Sequence, residues 1–413
     1  MLQGDPIREG WHDDHVKEAL DLCLSCKGCK GECPVNVDIA TYKAEFLSHY
    51  YEGRLRPRHA FASGLIYWWA RAASAMPATA NFFTQTPGLA NVSKWAAGYS
   101  QQRQIPPFAP ETFKQWFARR EPRNIDKPPV ILWADTFNNH FTPKVAKAAV
   151  EVLEDAGYRV RVVHQSLCCG RPLYDYGMLT TAKKLLRQLL TVLKPAIERG
   201  IPIVGLEPSC VTVFRDELTN LIHGDEDARR LQKQTLMLSE FLEQRVDNYR
   251  PAQLQRKAVI HGHCHHKSTL NFGSEENILK KIGLDYEILD SGCCGMAGAF
   301  GYEKKHYGVG IKCGERVLLP AIRNAPRDAL IIADGFSCRE QILQQTERKG
   351  LHLAQVLQMA LRGDRNQPSA LPEREYADVG KTPALPLAVI AGTAAIGSAG
   401  LWWAARRRDR HRN

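Results

Sequence analysis

The tripeptide Cys-Cys-Gly occurs twice, as Cys168-Cys169-Gly170 and as Cys293-Cys294-Gly295. Its surroundings repeat with it, which marks an internal duplication. Upstream of the first pair runs Val130-Ile131-Leu132-Trp133-Ala134-Asp135. Upstream of the second runs Val259-Ile260-His261-Gly262-His263-Cys264. Each run reads as a strand that leads into a helical stretch. A second strand then ends at the cysteine pair, Tyr158 to Val163 and Asp285 to Leu289. Downstream, each half has a helix, a β-branched run (Ile201 to Leu206; Ala329 to Ala333) and a lone cysteine before a charged helix. Those cysteines are Cys210 in Glu-Pro-Ser-Cys and Cys338 in Gly-Phe-Ser-Cys. Two strand–helix–strand–helix–strand units predict an α/β domain of two repeated Cys-Cys-Gly lobes, over 127–250 and 251–361. The cysteines fall at strand ends, where open α/β sheets bind ligands.

The chain has 413 residues, enough for two or three domains with real cores. Its 12 cysteines are clustered, and Met1 to Pro6 contains no apolar signal segment. Such cysteines read as metal ligands or redox groups rather than as a disulfide frame. The net charge is +11, but residues 406–413 alone hold five Arg against one Asp. The remainder is only mildly basic, so no nucleic-acid partner is expected.

A second cysteine cluster lies near the start, in Cys23-Leu-Ser-Cys26-Lys-Gly-Cys29-Lys-Gly-Glu-Cys33-Pro34. This is the C-x2-C-x2-C-x3-C-P run of ferredoxin-type iron–sulfur clusters. A 4Fe-4S cube needs four thiolates, and a tight glycine-bearing loop presents three of them to one cube. Pro34 lacks a backbone donor and turns the chain away. A zinc knuckle is the competing reading, but it takes paired C-x2-C units. In two-cluster ferredoxins the fourth cysteine of the run serves the other cluster. Either Cys33 closes a single cube with Cys23, Cys26 and Cys29, or a partner supplies a second run. Residues 1–125 are read as an α-helical, ferredoxin-like N-terminal domain with a helical linker. In it, Tyr67-Trp68-Trp69 is either a docking face or part of a small helical core.

Residues 362–381 read as a flexible linker. Residues 382–405 carry no charge and end in Leu401-Trp402-Trp403, with a basic tail over 406–413. About 20 apolar residues suffice to cross a bilayer, and tryptophan favours its interface. The expectation is a C-terminal hydrophobic helix anchoring the chain on the cytoplasmic side of a membrane.

The ferredoxin run followed by two Cys-Cys-Gly lobes resembles the iron–sulfur subunits of glycolate oxidase, anaerobic glycerol-3-phosphate dehydrogenase and heterodisulfide reductase. It resembles still more the C-terminal iron–sulfur part of bacterial FAD-linked D-2-hydroxyacid dehydrogenase fusions. The stretches from Cys23 to Arg58, Trp133-Ala-Asp-Thr-Phe-Asn-Asn, Cys168-Cys-Gly-Arg-Pro-Leu-Tyr-Asp and Ser291-Gly-Cys-Cys-Gly-Met-Ala-Gly carry the likeness. It spans roughly Trp11 to Leu361. In the fused family an FAD domain and another cluster motif lie upstream. The family's fullest lobe has one cysteine, then Cys-Cys-Gly, then Cys-x2-Cys. This chain departs from it. The second lobe keeps Cys264, Cys293, Cys294 and Cys338, but Gly335 stands where a further cysteine would be. The first lobe keeps Cys168, Cys169 and Cys210, with Glu207 in the final Cys-x2-Cys. Aligning the strands puts Asp135 opposite Cys264, as a candidate oxygen ligand.

The resemblance implies an iron–sulfur electron-transfer subunit of an FAD-linked 2-hydroxyacid dehydrogenase. An FAD-containing partner would supply electrons and the other cluster motif, and a membrane or quinone acceptor would take them. A heterodisulfide-reductase-like thiol/disulfide role and a non-catalytic metal-binding module are the alternatives. No FAD site is expected in this chain: Gly308-x-Gly310 lacks the strand–turn–helix context of a dinucleotide site. His261, His263, His265 and His266 surround Cys264 and read as orienting or proton-relay groups, or as ordinary strand-end histidines. Strand alternation would turn His263 and His265 away from Cys264. Cys313 reads as a core cysteine.

Overall fold

The computed structural model describes residues 9–270, 272–363 and 371–376. The predicted hydrophobic helix over 382–405, the basic tail and most of the linker lie outside them. Among the described residues, no helix is long and apolar enough to cross a membrane.

The chain is mostly helical and carries two small parallel sheets. The first contains β1 (Pro129–Leu132), β2 (Arg159–Arg161), β3 (Ile203–Gly205) and β4 (Thr235–Met237), in the order β2-β1-β3-β4. The second contains β5 (Lys257–Ile260), β6 (Asp285–Ile288) and β7 (Leu330–Ile332), in the order β6-β5-β7. In each, the first strand is central and the next two flank it. The sequence predicts the other six strands and misses β4. Thr235-Leu236-Met237 is three residues between two helices, with no turn residue to announce it.

The strand registers correct the alignment made from sequence. Ile131 pairs with Ile203, seven residues before Cys210. Val259 pairs with Ile331, seven residues before Cys338. Ile131 therefore corresponds to Val259, one residue off the expected match. Burial agrees. Val130 and Leu132 share a core with Ala258 and Ile260. Ile131 faces the opposite way, toward Cys169 and Cys210, and Val259 faces Cys294 and Cys338. Carried forward, Trp133 matches His261, Asp135 matches His263, and Thr136 matches Cys264.

The strands also end earlier than expected. Asp135 and His263 are not strand residues but the N-caps of the helices Thr136–His140 and Cys264–Thr269. Asp135 Oδ1 accepts from the backbone N–H groups of Phe137 and Asn138, and His263 Nδ1 accepts from that of His265. These bonds satisfy donors that a helix start leaves open.

The two sheets close on one core. The helices Pro143–Asp155 and Leu353–Leu361 pack together in it, both bearing runs of buried Ala, Val and Leu. Phe137 stacks on Phe336 at 4.7 Å, Glu207 Oε2 accepts from the Phe336 N–H at 2.8 Å, and His352 Nε2 donates to the Leu206 carbonyl at 2.9 Å.

Before β1 the chain is helical. The expected helix around Tyr67 is Ile66–Ala75. Tyr67 is buried there and its hydroxyl donates to the Ser166 carbonyl at 2.8 Å, while Trp69 is exposed. The run is thus part core and part surface.

Candidate metal centre

Both Cys-Cys-Gly turns have the same local build. Gly170 and Gly295 lie at φ +82° and +85°, where an L side chain is strained. A Cβ on Gly295 would also stand 1.9 Å from the Gly310 carbonyl oxygen, so Gly310 serves close packing of this turn. In each turn the glycine N–H donates to the first cysteine's Sγ at 3.4 Å. Cys313 is half-buried against the second turn.

In the first region Cys168, Cys169 and Cys210 are buried together, with Cys169 Sγ 3.0 Å from Cys210 Sγ. The fourth position is Thr136, whose Oγ1 lies 3.9 Å from Cys168 Sγ. The predicted oxygen ligand Asp135 does not fill that position. Its Oδ1 caps the helix and its Oδ2 accepts from Asn138 Nδ2 at 2.8 Å. Burial, then the neighbouring Glu207 carboxylate, raise its pKa to about 6. The hydrogen bond Cys168 donates to Cys169, then burial, hold its thiol well above the usual range. Cys210 receives a hydrogen bond from Cys169, which favours its thiolate. Burial and the Asp135 and Glu207 carboxylates nevertheless push it up to about 11. This is a dry set of neutral thiols.

The second region brings Cys264, Cys293, Cys294 and Cys338 into one chain of contacts. Cys293 donates to Cys264 and Cys294, and Cys338 donates to Cys294. The hydrogen bond from Cys293 lowers Cys264 to about 7 against its burial, and His263 helps. The same donor, with Cys338, pulls Cys294 well below the ordinary thiol value. A ring nitrogen of His261 lies within 4.8 Å of the sulfurs of Cys294 and Cys338. Gly335 leaves the volume that the His263 ring fills, since a Cβ there would stand 2.2 Å from His263 Cδ2. His263 therefore lies near the sulfur of Cys338 as well, and not on a strand face opposite Cys264 as alternation predicts. A run of four thiols in contact, with an imidazole beside two of them, suits an iron–sulfur cluster.

The N-terminal run is seated against both regions. Lys27, fully buried and in a left-handed conformation, bonds Asp38, Asp216 and Glu217 at 2.9, 2.6 and 3.1 Å. Asp216 and Glu217 belong to a π-helical turn, Val213–Glu217, just after Cys210. On the other side the Ser25 carbonyl accepts from His265 Nε2 at 2.7 Å, and the Cys26 carbonyl from Ser268 Oγ at 3.3 Å. Burial raises the Cys26 thiol, and the nearby thiols of Cys264, Cys23 and Cys29 raise it further. Cys26 thus has a second-region sulfur among its neighbours. Cys33 is accessible, and backbone N–H groups of Val37, Val35 and Asn36 lower its pKa. Between the run and the second region lies a cavity of about 440 Å³, lined by Cys23, Ser25, His263, Cys264, Phe141 and Phe336 among others.

Sequence reasoning found the eleven cysteines of these three sets. It named His261 only among the histidines around Cys264, and it missed Thr136 and Lys27. Counting back from the lone cysteines would have exposed the one-residue shift. Nothing local marks Lys27, whose partner Asp216 lies 189 residues away.

Comparison with known proteins places these features among relatives. Residues 135–215 match the family described as "Cysteine-rich domain". The chain is 26% identical over 373 residues to D-2-hydroxyglutarate dehydrogenase of Escherichia coli (strain K12), covering 85% of this chain and 36% of that protein. It is 26% identical over 266 residues to an anaerobic glycerol-3-phosphate dehydrogenase subunit from the same organism, covering 63% and 66%. It is 30% identical over 243 residues to lactate utilization protein A of Bacillus velezensis, covering 55% of this chain and 98% of that protein. The chain spans about a third of the length of the dehydrogenases it matches.

Proposed function

Because the chain belongs to the Cys-Cys-Gly cysteine-rich family that includes lactate utilization protein A, we propose that it is an iron–sulfur electron-transfer subunit, or part, of an FAD-linked 2-hydroxyacid dehydrogenase. It passes electrons from a partner flavin to an acceptor such as a quinone. The observation that carries this reading is the seating of the ferredoxin-type loop on the helix that begins at Cys264, through His265 to the Ser25 carbonyl and Ser268 to the Cys26 carbonyl. Cys23, Cys26 and Cys29 would hold one cluster, with Cys33 closing it or reaching one on the partner. Cys264, Cys293, Cys294 and Cys338 would hold another. Such clusters supply one-electron redox chemistry when bound.

The chain's own residues position and shield. Lys27 locks the cysteine loop to the first region, and its carboxylate partners offset the cost of burying its charge. His265 and Ser268 hold the loop to the second region. The cavity beside Cys23 and Cys264 has an aromatic wall and a size suited to a small acceptor. On this reading the two Cys-Cys-Gly regions are a duplicated lobe in which only the second copy keeps a metal site.

The test is the metal itself. Anaerobically purified chain should be brown and contain iron and labile sulfide in comparable amounts. Replacing Cys26 with Ser should remove a ferredoxin-type electron paramagnetic resonance signal and leave a second one. Colourless protein that takes up only zinc on anaerobic reconstitution with iron and sulfide would sink the reading.

A further inference from the structure

We propose that His261 is itself a ligand of the metal centre in the second region, binding through Nε2 beside Cys294 and Cys338. The inference rests on the reading of that region as a metal site. It puts an imidazole, beside Cys294 and Cys338, in place of one of the other two thiols in a set that the sequence presents as thiols alone.

His261 follows β5 on the face that Val259 turns toward Cys294 and Cys338. It is 2% exposed, and a ring nitrogen lies within 4.8 Å of both sulfurs. Its Nδ1 is 2.7 Å from Ser291 Oγ, itself buried. With Nδ1–H donating to that hydroxyl, Nε2 carries the lone pair. Nε2 is buried, and the sulfur of Cys294 is the one group among the described residues that it meets. A metal would be held between that nitrogen and that sulfur. An imidazole oriented by a hydrogen bond on its other nitrogen is also the usual arrangement of a histidine ligand.

The neighbouring histidine is different. His263 accepts the His265 N–H on Nδ1, so its Nε2 bears the proton and can only donate. The first region supplies an internal contrast. Trp133 stands where His261 does, packed with Cys169 and Cys210, and its indole offers no lone pair. Replacing a thiolate by a neutral imidazole removes a negative charge, so the centre should have a higher potential than an all-cysteine one.

The test uses the full chain carrying Cys26→Ser, reconstituted anaerobically with iron and sulfide. Pulsed electron paramagnetic resonance of the reduced protein should show a nitrogen coupling that changes when histidine is labelled with nitrogen-15. His261→Leu should lose that coupling together with the centre's iron. His261→Cys should recover the iron at a lower potential. An isotope-insensitive spectrum in the protein with His261 intact overturns the proposal, however the variants fold. If His261→Leu keeps its iron while Cys294→Ala loses it, His261 is not a ligand and the electron-transfer reading stands. If Cys294→Ala also keeps all its iron, the metal reading of the second region falls, and His261 with it.

Discussion

The two Cys-Cys-Gly regions share a strand order, a strand register and a glycine turn, yet they treat their sulfurs in opposite ways. The differences lie at four matched positions: Thr136 against Cys264, Trp133 against His261, Asp135 against His263, and Glu207 against Gly335. In the first region burial, with two buried carboxylates beside it, raises Cys210 to about 11 against the hydrogen bond from Cys169. In the second, the hydrogen bond from Cys293, aided by the imidazole that replaces a carboxylate at the helix cap, lowers Cys264 to about 7. Negative neighbours in a buried site disfavour thiolate, and hydrogen-bond donors favour it. One arrangement of three strands therefore surrounds its sulfurs with different neighbours in the two regions.

The largest effect should come from breaking that asymmetry directly. Cys294→Ala should remove one centre's full complement of iron, whereas Cys169→Ala should leave iron per chain unchanged. Metal analysis and electron paramagnetic resonance in the Cys26→Ser background read both. Equal losses would make the two regions equivalent and end the comparison.

A smaller effect is expected from adding what the first region lacks. Thr136→Cys creates a fourth thiol beside Cys168, Cys169 and Cys210. Asp135 and Glu207 remain, so uptake should be partial, below one extra zinc or cluster per chain. A full equivalent, held as tightly as in the second region, would show that the carboxylates are irrelevant and that the missing sulfur alone explains the difference.

The smallest effect concerns how the N-terminal segment is tied to each region. Asp21 meets His306 at 3.2 Å, and Glu303 meets its other nitrogen at 2.9 Å. Burial disfavours the charged ring, but these two carboxylates outweigh it and raise His306 to about 9. The folded pKa lies above the unfolded value, so this contribution is complete below about pH 6.5 and lost as pH rises through 9. The tie to the first region behaves differently: burial opposes the Lys27 charge, yet Glu217 and Asp216 hold its pKa above that of an ordinary lysine. Between pH 6.5 and 9.5 the protein should lose on the order of 1 kcal/mol, solvent screening included. The loss should be absent in His306→Gln. Urea titrations at the two pH values measure it, and an equal loss in the variant would assign the effect elsewhere.

What the sequence determined by itself was local or repetitive. The duplicated Cys-Cys-Gly, the six strands predicted around it and the ferredoxin-type run are patterns within a few residues, set by side-chain periodicity and by glycine. The aromatic run at Tyr67 was legible as a helix, but not as half core and half surface. The tertiary structure alone decided which residue faces which. Where β1 and β5 stop depends on their partner strands and on the capping side chains that open the next helix. A shift of one residue there moved the position aligned with Cys264 from Asp135 to Thr136. The bonds from His265 and Ser268 to the cysteine loop and the burial of Lys27 against Asp216 and Glu217 join segments about two hundred residues apart. No periodicity encodes such contacts, because they follow from how two sheets and a helical segment pack to exclude water.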